Sequence, residues 1–254
     1  MPTNIFDTHA HYDDEAFDED RKELLLYMRQ NGVTGIINCG TTAANSKISA
    51  EYAESYDFIR AAAGIHPHYA AQATEEDFAA VESLLSRPRV VAVGEMGLDY
   101  HYDYSPREAQ LRVAERLIEM AARHGKPIIF HDREAHEDTL ELLKKHRPRG
   151  VLHCFSGSVE MAAEILKLGM YIGLGGAVTF KNAKTPPLVA AFVPEDRLLL
   201  ETDAPYMTPE PFRGKRCDSL HINLTAEKIA VIRGVGVQEL LDMTAENAKK
   251  MFLG

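Results

Sequence analysis

Short apolar runs in this chain repeatedly lead into residues of the types that bind metal ions. Six such residues follow five runs: His9, His11, Glu95, His131, His153 and Asp203. Because the carboxyl ends of barrel strands lie at one face of the barrel, we expect these side chains to converge. Imidazole and carboxylate groups together suit zinc, manganese or magnesium and do not select one of them. The pattern predicts a centre for divalent ions, and paired ions are the usual arrangement for hydrolysing phosphate esters.

The first two histidines have the spacing that a shared ion requires. His9 and His11 are two residues apart in a strand-like run, so both side chains point to the same side of the strand. A lone His-x-His pattern is weak evidence by itself. Asp7, in the same run, is either a carboxylate that orients a ligand imidazole or a hydrogen-bonded carboxylate of the barrel wall.

The other four residues complete the predicted centre. Glu95 is costly to bury without a partner, so it needs a cation or a set of hydrogen bonds, and a structural ion pair is the alternative to a metal bridge. His131 and His153 end consecutive strands, which places them side by side in a barrel and lets them share a second ion. Asp203 ends the last strand, next to the first, and that position suits either a ligand or a general base for water.

The elements that must position these side chains alternate along the whole chain. Strand-like runs lie near residues 4–9, 33–38, 58–64, 89–94, 127–131, 150–154, 170–174 and 197–201, with helical patterns between them. This alternation favours parallel βα units, and we predict an α/β fold, a single (β/α)8 TIM barrel. The 254 residues contain no linker, repeat or low-complexity stretch, so we expect one domain over residues 1–254.

The clearest helical pattern lies between the fourth and fifth strands. It runs from Pro106 to His124, and its apolar residues recur at three- and four-residue spacing. Ser105 is the expected N-cap and Pro106 the first helical residue. Gly125 follows the end, as is common for helices.

The composition restricts the function classes. Hydrophobic residues make up 45% of the chain and charged residues 26%, and no apolar run approaches the roughly 18 residues of a membrane-spanning helix. The three scattered cysteines suit a reducing compartment, and the start lacks the pattern of a signal peptide, so we expect a cytoplasmic location and no membrane partner. The formal charge of −10 argues against broad attraction to nucleic acid but allows a phosphate substrate beside metal ions. The oligomeric state stays open, with a monomer as the simplest expectation.

Six ordered motifs carry a resemblance that spans the chain from Ile5 to Phe252. They are Phe6-Asp7-Thr8-His9-Ala10-His11, Gly64-Ile65-His66-Pro67-His68, Gly94-Glu95-Met96-Gly97-Leu98-Asp99-Tyr100, His131-Asp132-Arg133-Glu134-Ala135, His153-Cys154-Phe155-Ser156-Gly157 and Glu201-Thr202-Asp203-Ala204-Pro205-Tyr206. Together they resemble the TatD family of metal-dependent deoxyribonucleases, which are amidohydrolase-like barrels.

This resemblance implies a ligand set and an activity. One ion would be held by His9, His11 and Asp203, a second by His131 and His153, and Glu95 would bridge the two. Each subunit would therefore bind two divalent ions (magnesium, manganese or zinc). The activity would be a 3′-5′ exonuclease that hydrolyses phosphodiester bonds of DNA and prefers single strands. Glu95 and Asp203 would be the catalytic carboxylates, and Asp203 would accept or direct the proton of the attacking water.

One loop departs from the family pattern. After Arg213-Gly214-Lys215-Arg216 the usual Asn-Glu-Pro is replaced by Cys217-Asp218-Ser219. The substitution puts substrate contacts from this loop in doubt. If the loop faces the substrate, the Cys217 thiol should be accessible to solvent.

Further residues are candidates for substrate contacts, each with a plainer alternative. They are His66 (or a loop-forming residue), Arg133 (or a surface ion pair), Ser156 (or a simple turn), Tyr206 (stacking on a base, or packing its loop) and Arg213. Arg213 belongs to a possible basic rim with Lys181, Lys184, Lys215 and Arg216. Ordinary solvated surface is the alternative for that set.

Two other functions remain open at the level of sequence. The same centre suits hydrolysis of an ester or amide, for example a D-aminoacyl-tRNA deacylase, because the fold does not decide the substrate. A non-catalytic scaffold stabilised by metal is the alternative of another class. Structural zinc sites favour closed shells of four ligands, whereas six ligands shared by two ions leave open positions.

Overall fold

The apolar runs of the sequence become the strands of one parallel sheet in the computed structural model, which describes residues 2–254. The strands are β1 (Ile5–Ala10), β2 (Val33–Cys39), β3 (Ile59–Ala63), β4 (Val90–Asp99), β5 (Ile128–Arg133), β6 (Gly150–Leu152), β7 (Tyr171–Leu174) and β8 (Leu198–Leu200). The helices are α1 (Arg21–Gln30), α2 (Ala43–Ser55), α3 (Glu75–Leu84), α4 (Arg107–Arg123), α5 (His136–His146), α6 (Val159–Lys167), α7 (Thr185–Phe192), α8 (Ile222–Arg233) and α9 (Val237–Phe252).

The strands pair in chain order from β1 to β8, every pair is parallel, and the sheet curls back on itself. The seam between β8 and β1 is closed by main-chain hydrogen bonds just beyond β8. Asp203 N donates to His9 O at 2.9 Å, and His11 N donates to Ala204 O at 2.8 Å. The prediction of a (β/α)8 TIM barrel is confirmed. The seam also places Asp203 beside the two histidines of β1.

The inside of the barrel is filled by side chains that alternate with those facing the helices. Ile37, Ile129 and Leu199 are fully buried in this inner cluster, and Phe252 near the end of α9 packs into it as well. Burying such a side chain stabilises the fold by about 2 kcal/mol relative to exposure. The filled interior forms a solid floor below the polar residues at the carboxyl ends of the strands.

Two strands are longer than the sequence pattern predicted. β4 continues to Asp99 and β5 to Arg133, so Glu95 lies within β4 instead of after it, and His131 lies inside β5 instead of at its end. Gly94 has φ +154°, and a Cβ there would lie 2.7 Å from the Ile129 carbonyl oxygen. Glycine therefore allows β4 to pass close to β5 just before Glu95 and to continue beyond it.

The predicted start of α4 needs a correction. The helix begins at Arg107, with Pro106 in the N-cap position and without a side-chain cap. Ser105 Oγ instead accepts a hydrogen bond from Ala71 N at 3.0 Å and donates to His68 O at 3.0 Å. Ser105 therefore ties two loops together above the barrel. Within residues 2–254, no helix combines the length and apolar character needed to cross a bilayer.

Candidate metal centre

Glu95 lies at the middle of the predicted centre, and its two carboxylate oxygens face different histidine pairs. Oε1 lies 2.9 Å from His131 Nδ1 and 2.8 Å from His153 Nε2. Oε2 lies 3.3 Å from His9 Nε2 and 3.4 Å from His11 Nε2. One carboxylate therefore has the placement of a bridge between two separate ligand pairs.

Asp203 joins the first of these pairs. Its Oδ1 lies 3.7 Å from His9 Nε2 and 3.5 Å from His11 Nε2. Asp203 has φ +64°, a backbone conformation that aspartate tolerates better than most residues. Its side chain is 20% exposed, against 4% for Glu95. Of the two carboxylates, Asp203 is thus the more accessible to solvent and to a substrate.

The protonation of the imidazoles tests whether the donor set fits metal ions. His11 Nδ1 lies 2.8 Å from the Cys39 carbonyl oxygen, and since a carbonyl only accepts, Nδ1 carries the proton. Nε2 is then the nitrogen that can take a second proton or a metal ion, and it lies 3.0 Å from His9 Nε2 and faces two carboxylates. Lone pairs that converge at such distances repel one another unless positive charge lies between them. The donors therefore fit a cation at His9, His11 and Asp203.

The pKa shifts also indicate that the surrounding groups stabilise a positive charge at this site. Burial lowers the pKa of His9 to about 4, and His153 adds to this. Burial also pushes the pKa of His11 down, but hydrogen bonds with Asp203 and Glu95 outweigh it and hold that pKa well above its usual value. For Glu95 burial raises the pKa, yet the surrounding imidazoles, His153 foremost, keep it well below the usual range. Both carboxylates are ionised at neutral pH and stabilise a positive charge at this position.

Asp99 fixes His131, one member of the second histidine pair, from behind, a role that sequence reasoning missed. Its Oδ2 lies 3.3 Å from His131 Nε2 and 2.9 Å from His68 Nε2. Since a carboxylate only accepts, His131 carries its proton on Nε2 and turns Nδ1 toward Glu95. Asp99 follows Glu95 by four residues in β4, so both point to the same side of the strand. That spacing was the signal in the sequence.

Glu201 lies behind His153 without a hydrogen bond to it, since His153 Nδ1 has no such partner among residues 2–254, and sequence reasoning also missed this residue. Its Oε1 accepts a hydrogen bond from Cys154 N and lies 3.8 Å from His153 Nδ1. Burial raises the pKa of Glu201 to about 8, so the carboxyl group is mostly protonated at pH 7. Its Oε2 has no hydrogen-bond partner among residues 2–254. The signal was a second acidic residue directly after β8, two positions before Asp203.

Asp7 does not orient a ligand imidazole, and the barrel-wall alternative describes it correctly. Oδ1 accepts from the main-chain nitrogens of His9 and Thr202, at 3.2 and 3.0 Å. Oδ2 accepts from Thr202 Oγ1 at 2.6 Å and from Ser219 Oγ at 2.7 Å. Asp7 therefore ties β1 to the segment beyond β8 and stabilises the seam of the barrel.

The loop of residues 217–219, which differs from the family pattern, turns inward instead of facing a substrate. Cys217 and Ser219 are fully buried. Besides its bond to Asp7, Ser219 Oγ is hydrogen-bonded to the Tyr12 hydroxyl at 2.7 Å. Asp218 accepts from Leu220 N at 2.9 Å and caps a short 3₁₀ helix. An accessible Cys217, the condition for a substrate-facing loop, is not what the structure shows.

A cavity of about 790 Å³ opens above the centre at the carboxyl ends of the strands. His66 lies on its wall with Nε2 3.5 Å from Glu95 Oε1. His66 Nδ1 accepts a hydrogen bond from His68 N at 3.2 Å, so the proton of the neutral ring is on Nε2. The ring could otherwise complete a ligand group with Glu95 and His131, but a protonated nitrogen has no lone pair for a metal. His66 is placed as a hydrogen-bond donor at the edge of the centre.

The other predicted substrate contacts divide into two groups. Arg133 and Tyr206 line the cavity. The Arg133 guanidinium lies 5.0 Å from the centre of the Tyr102 ring, and the Tyr206 hydroxyl donates to Asp14 Oδ2 at 2.7 Å. Both side chains therefore stand where a substrate could touch them.

Ser156 and Arg213 fall outside the cavity wall. Ser156 is exposed in the irregular segment that precedes α6. The Arg213 guanidinium lies 4.0 Å from the centre of the Phe180 ring, and its neighbour Arg216 pairs with Asp20 at 2.6 Å. Neither side chain lines the cavity above the centre, and their role as substrate contacts stays a prediction.

Comparisons with known proteins agree with this geometry. A family model described as TatD related DNase matches residues 6–253. An uncharacterized metal-dependent hydrolase, YabD of Bacillus subtilis, is 43% identical over 251 residues, which cover 98% of each chain. The 3′-5′ ssDNA/RNA exonuclease TatD of Erwinia tasmaniensis is 32% identical over 257 residues, covering 98% of this chain and 99% of that one. Among solved structures, the TatD homolog YJJV from Escherichia coli K12 superimposes with a TM-score of 0.93 at 32% identity over the whole of both chains.

Proposed function

The chain belongs to the family of TatD-related DNases and is a metal-dependent hydrolase, and from this premise we propose that it removes nucleotides from the 3′ end of single-stranded DNA. The observation that carries the proposal is the bridging placement of Glu95, whose two oxygens face two histidine pairs at the floor of an open cavity. A metal that only stabilised the barrel would be enclosed by its ligands. An open cavity above the donors favours an active site.

The six residues predicted from sequence would hold two divalent ions: His9, His11 and Asp203 for one, His131 and His153 for the other, with Glu95 between them. Bound there, the ions would supply Lewis acidity that activates water and neutralises charge on a phosphodiester. With two ionised carboxylates, such a centre carries a net charge of about +2, which attracts a phosphate even to an acidic protein.

The protein's own side chains divide the remaining work. Asp203 is ionised, since the His11 hydrogen bond and nearby imidazoles lower its pKa despite burial, and Oδ1 would accept the proton of the attacking water. His66 would donate its Nε2 proton in a hydrogen bond to a phosphate oxygen. Arg133 on the cavity wall would hold the next phosphate along the strand by its charge.

The shape of the site supports a strand end as the substrate. The centre lies at the bottom of a pit, and a single-stranded end can enter a pit more easily than a stacked duplex. A relative named as an exonuclease acting on single-stranded DNA and RNA covers 98% of this chain. The 3′ polarity rests on the resemblance to that relative.

The decisive experiment gives metal-loaded protein three substrates side by side: 5′-labelled single-stranded DNA, the same DNA as a blunt duplex, and aminoacylated tRNA. We expect a ladder of shortening products from the single strand, slower shortening of the duplex and no release of amino acid.

Two results would replace this function with another. Hydrolysis of the aminoacyl ester alone would make the protein a deacylase that uses the same centre. If the metal-loaded protein binds two ions per chain but cleaves none of the three substrates, the result would support a non-catalytic role for the metals.

A further inference from the structure

We propose that Tyr102 and Tyr104 form a stacking shelf for a nucleobase, next to the metal centre, and that the shelf selects single-stranded nucleic acid. This inference rests on the proposed function and adds the element that recognises bases. Neither tyrosine was singled out from the sequence as part of the site.

The shelf consists of aromatic rings that the fold leaves open to solvent. The side chains of Tyr102 and Tyr104 are 47% and 67% exposed, and their rings stack with centroids 5.4 Å apart and an angle of 25° between planes. Both line the cavity above the metal centre. Exposing two large aromatic side chains side by side forgoes the free energy of burying them. A ligand with a flat apolar face would recover part of that free energy.

A continuous series of rings connects the shelf to the metal centre. The His66 ring lies 4.7 Å from the ring of His131 and 4.3 Å from the ring of His68. The His68 ring in turn lies 5.5 Å from Tyr102 and 4.8 Å from Tyr104. The shelf therefore begins about two rings from the ligands. A phosphate at the centre and a base on the shelf are thus within reach of one short segment of nucleic acid.

One carboxylate sets the distance between shelf and centre. Asp99 Oδ2 lies 3.3 Å from His131 Nε2, and Asp99 Oδ1 accepts from Tyr102 N at 2.9 Å. It also accepts from His101 N at 3.0 Å, which closes a tight turn at the end of β4. The loop that carries the tyrosines is therefore held rigidly against a histidine of the centre. A preorganised shelf binds without first having to become ordered.

The charges of the cavity wall favour the same path for the strand. Arg133 lies over Tyr102 and supplies a positive charge on the shelf side. The part of the wall that follows β1 carries Asp13, Asp14 and Glu15, which repel phosphates. A nucleic-acid backbone should therefore leave the centre along Arg133, with its bases turned onto the tyrosines. Stacking of this kind tolerates every base, because each has a π-face.

The test compares three matched variants in the full metal-loaded protein. Tyr102→Leu with Tyr104→Leu removes the rings but keeps apolar bulk, and Tyr102→Phe with Tyr104→Phe keeps the rings and removes the hydroxyls. Tyr27→Leu is the control, since Tyr27 is 57% exposed on α1 and does not line the cavity. Each protein receives a single-stranded oligonucleotide and the same strand with abasic sugars in its last three positions. Binding is measured separately by fluorescence anisotropy of the labelled strand in calcium.

With one base stacked, KM for the normal strand should rise about tenfold or more in the Leu pair, with kcat within about threefold of the parent protein. The Leu pair should also lose the preference for normal over abasic strands. The Phe pair and Tyr27→Leu should behave as the parent. Because the strand binds in calcium through the same contacts, its Kd should follow KM.

The two proposals fail in different ways. If the parent protein cleaves the strand but the Leu pair has unchanged KM and Kd, the shelf is refuted while the nuclease function stands. Equal cleavage of normal and abasic strands by the parent refutes it in the same way. If the parent cleaves no strand, the nuclease function fails, and the Kd of the Leu pair still decides the shelf: an increase supports it and an unchanged value refutes it. A strand that does not bind the parent protein at all refutes both.

Discussion

Replacing Glu95 with glutamine tests the bridged two-metal centre most directly. The variant keeps the size of the side chain but loses its charge, and one carboxylate oxygen becomes an NH₂ group. Because both oxygens of Glu95 lie within 3.4 Å of imidazole nitrogens, glutamine must turn its NH₂ group toward one histidine pair. That pair then loses an anionic ligand and faces a donor instead of an acceptor.

The expected loss is large. Unit charges about 4 Å apart interact by about 4 kcal/mol at an effective dielectric constant near 20, and the ions are divalent and nearer. We therefore expect the affinity for at least one ion to fall by about 10³-fold or more. Phosphodiester turnover should fall by about the same factor, because a lost transition-state stabilisation of about 4 kcal/mol corresponds to about 10³ in rate.

The assay combines three measurements on Glu95→Gln and on a control, Glu141→Gln, which changes an exposed glutamate of α5. Metal content is measured by mass spectrometry after dialysis against a fixed concentration of free metal ion. Turnover is measured with single-stranded DNA, and Tm is measured in the presence of chelator. We expect one ion fewer per chain, the loss of turnover given above, and a Tm in chelator within about 5 °C of the parent. Two ions retained with activity within tenfold of the parent would refute the bridge. A collapse of Tm in chelator would instead make Glu95 a structural residue.

Three further outcomes follow from the structure. Of the three thiols, only Cys154 is partly exposed, while Cys39 and Cys217 are buried. A thiol reagent should therefore modify at most one cysteine rapidly in the native protein and all three after unfolding. Rapid modification of Cys217 would contradict the inward loop. Asp7→Ala should lower the free energy of unfolding by about 3 kcal/mol at pH 7.5, since four donors lose their acceptor. Burial raises the pKa of Asp7 to about 6, so the stability that Asp7 contributes to the folded protein is greatest at low pH and falls as the pH rises through that value. In chelator, the loss of unfolding free energy in Asp7→Ala should therefore be about 1–2 kcal/mol larger at pH 5 than at pH 7.5. The opposite trend in urea unfolding would contradict the pKa shift. The apparent affinity for single-stranded DNA should fall only shallowly with salt, with a logarithmic slope of about −1 to −3, and a slope near −10 would indicate a basic surface that the cavity wall does not show.

The sequence was sufficient for the barrel because buried parallel strands have a simple signature. Continuous apolar runs such as residues 127–131 and 197–201 match β5 and β8 to within a few residues. The extension of β4 was missed since Gly94 and Gly97 look like the end of a strand. In the structure both have positive φ, and the strand continues between and beyond them. Glycine is ambiguous in a sequence because it serves turns and close strand contacts equally well.

The convergence of the six predicted ligands was predictable for a related reason: each lies in or just after the carboxyl-terminal half of a strand, and the barrel brings those positions together. The spacing of Asp99 and Glu201 marked both as candidates, but their contacts were not predictable, because the partners are distant in sequence. Glu201 accepts from a residue 47 positions earlier, and Asp99 contacts His131 32 positions later. The inward turn at Cys217 depends on Ser219 reaching Asp7, 212 residues away. Only the folded chain identifies such pairs.

The seam of the barrel also bears on when this protein becomes active. Thr202 hydrogen-bonds to Asp7, 195 residues earlier in the chain, and the proposed ion of His9, His11 and Asp203 would be shared across that same junction. A chain still being synthesised holds both histidines long before their carboxylate exists, and pairings of such separation form late in folding. The growing polypeptide therefore has no complete centre with which to cleave nucleic acid near the ribosome. Uptake of that ion would report, in a refolding experiment, the moment at which the barrel closes.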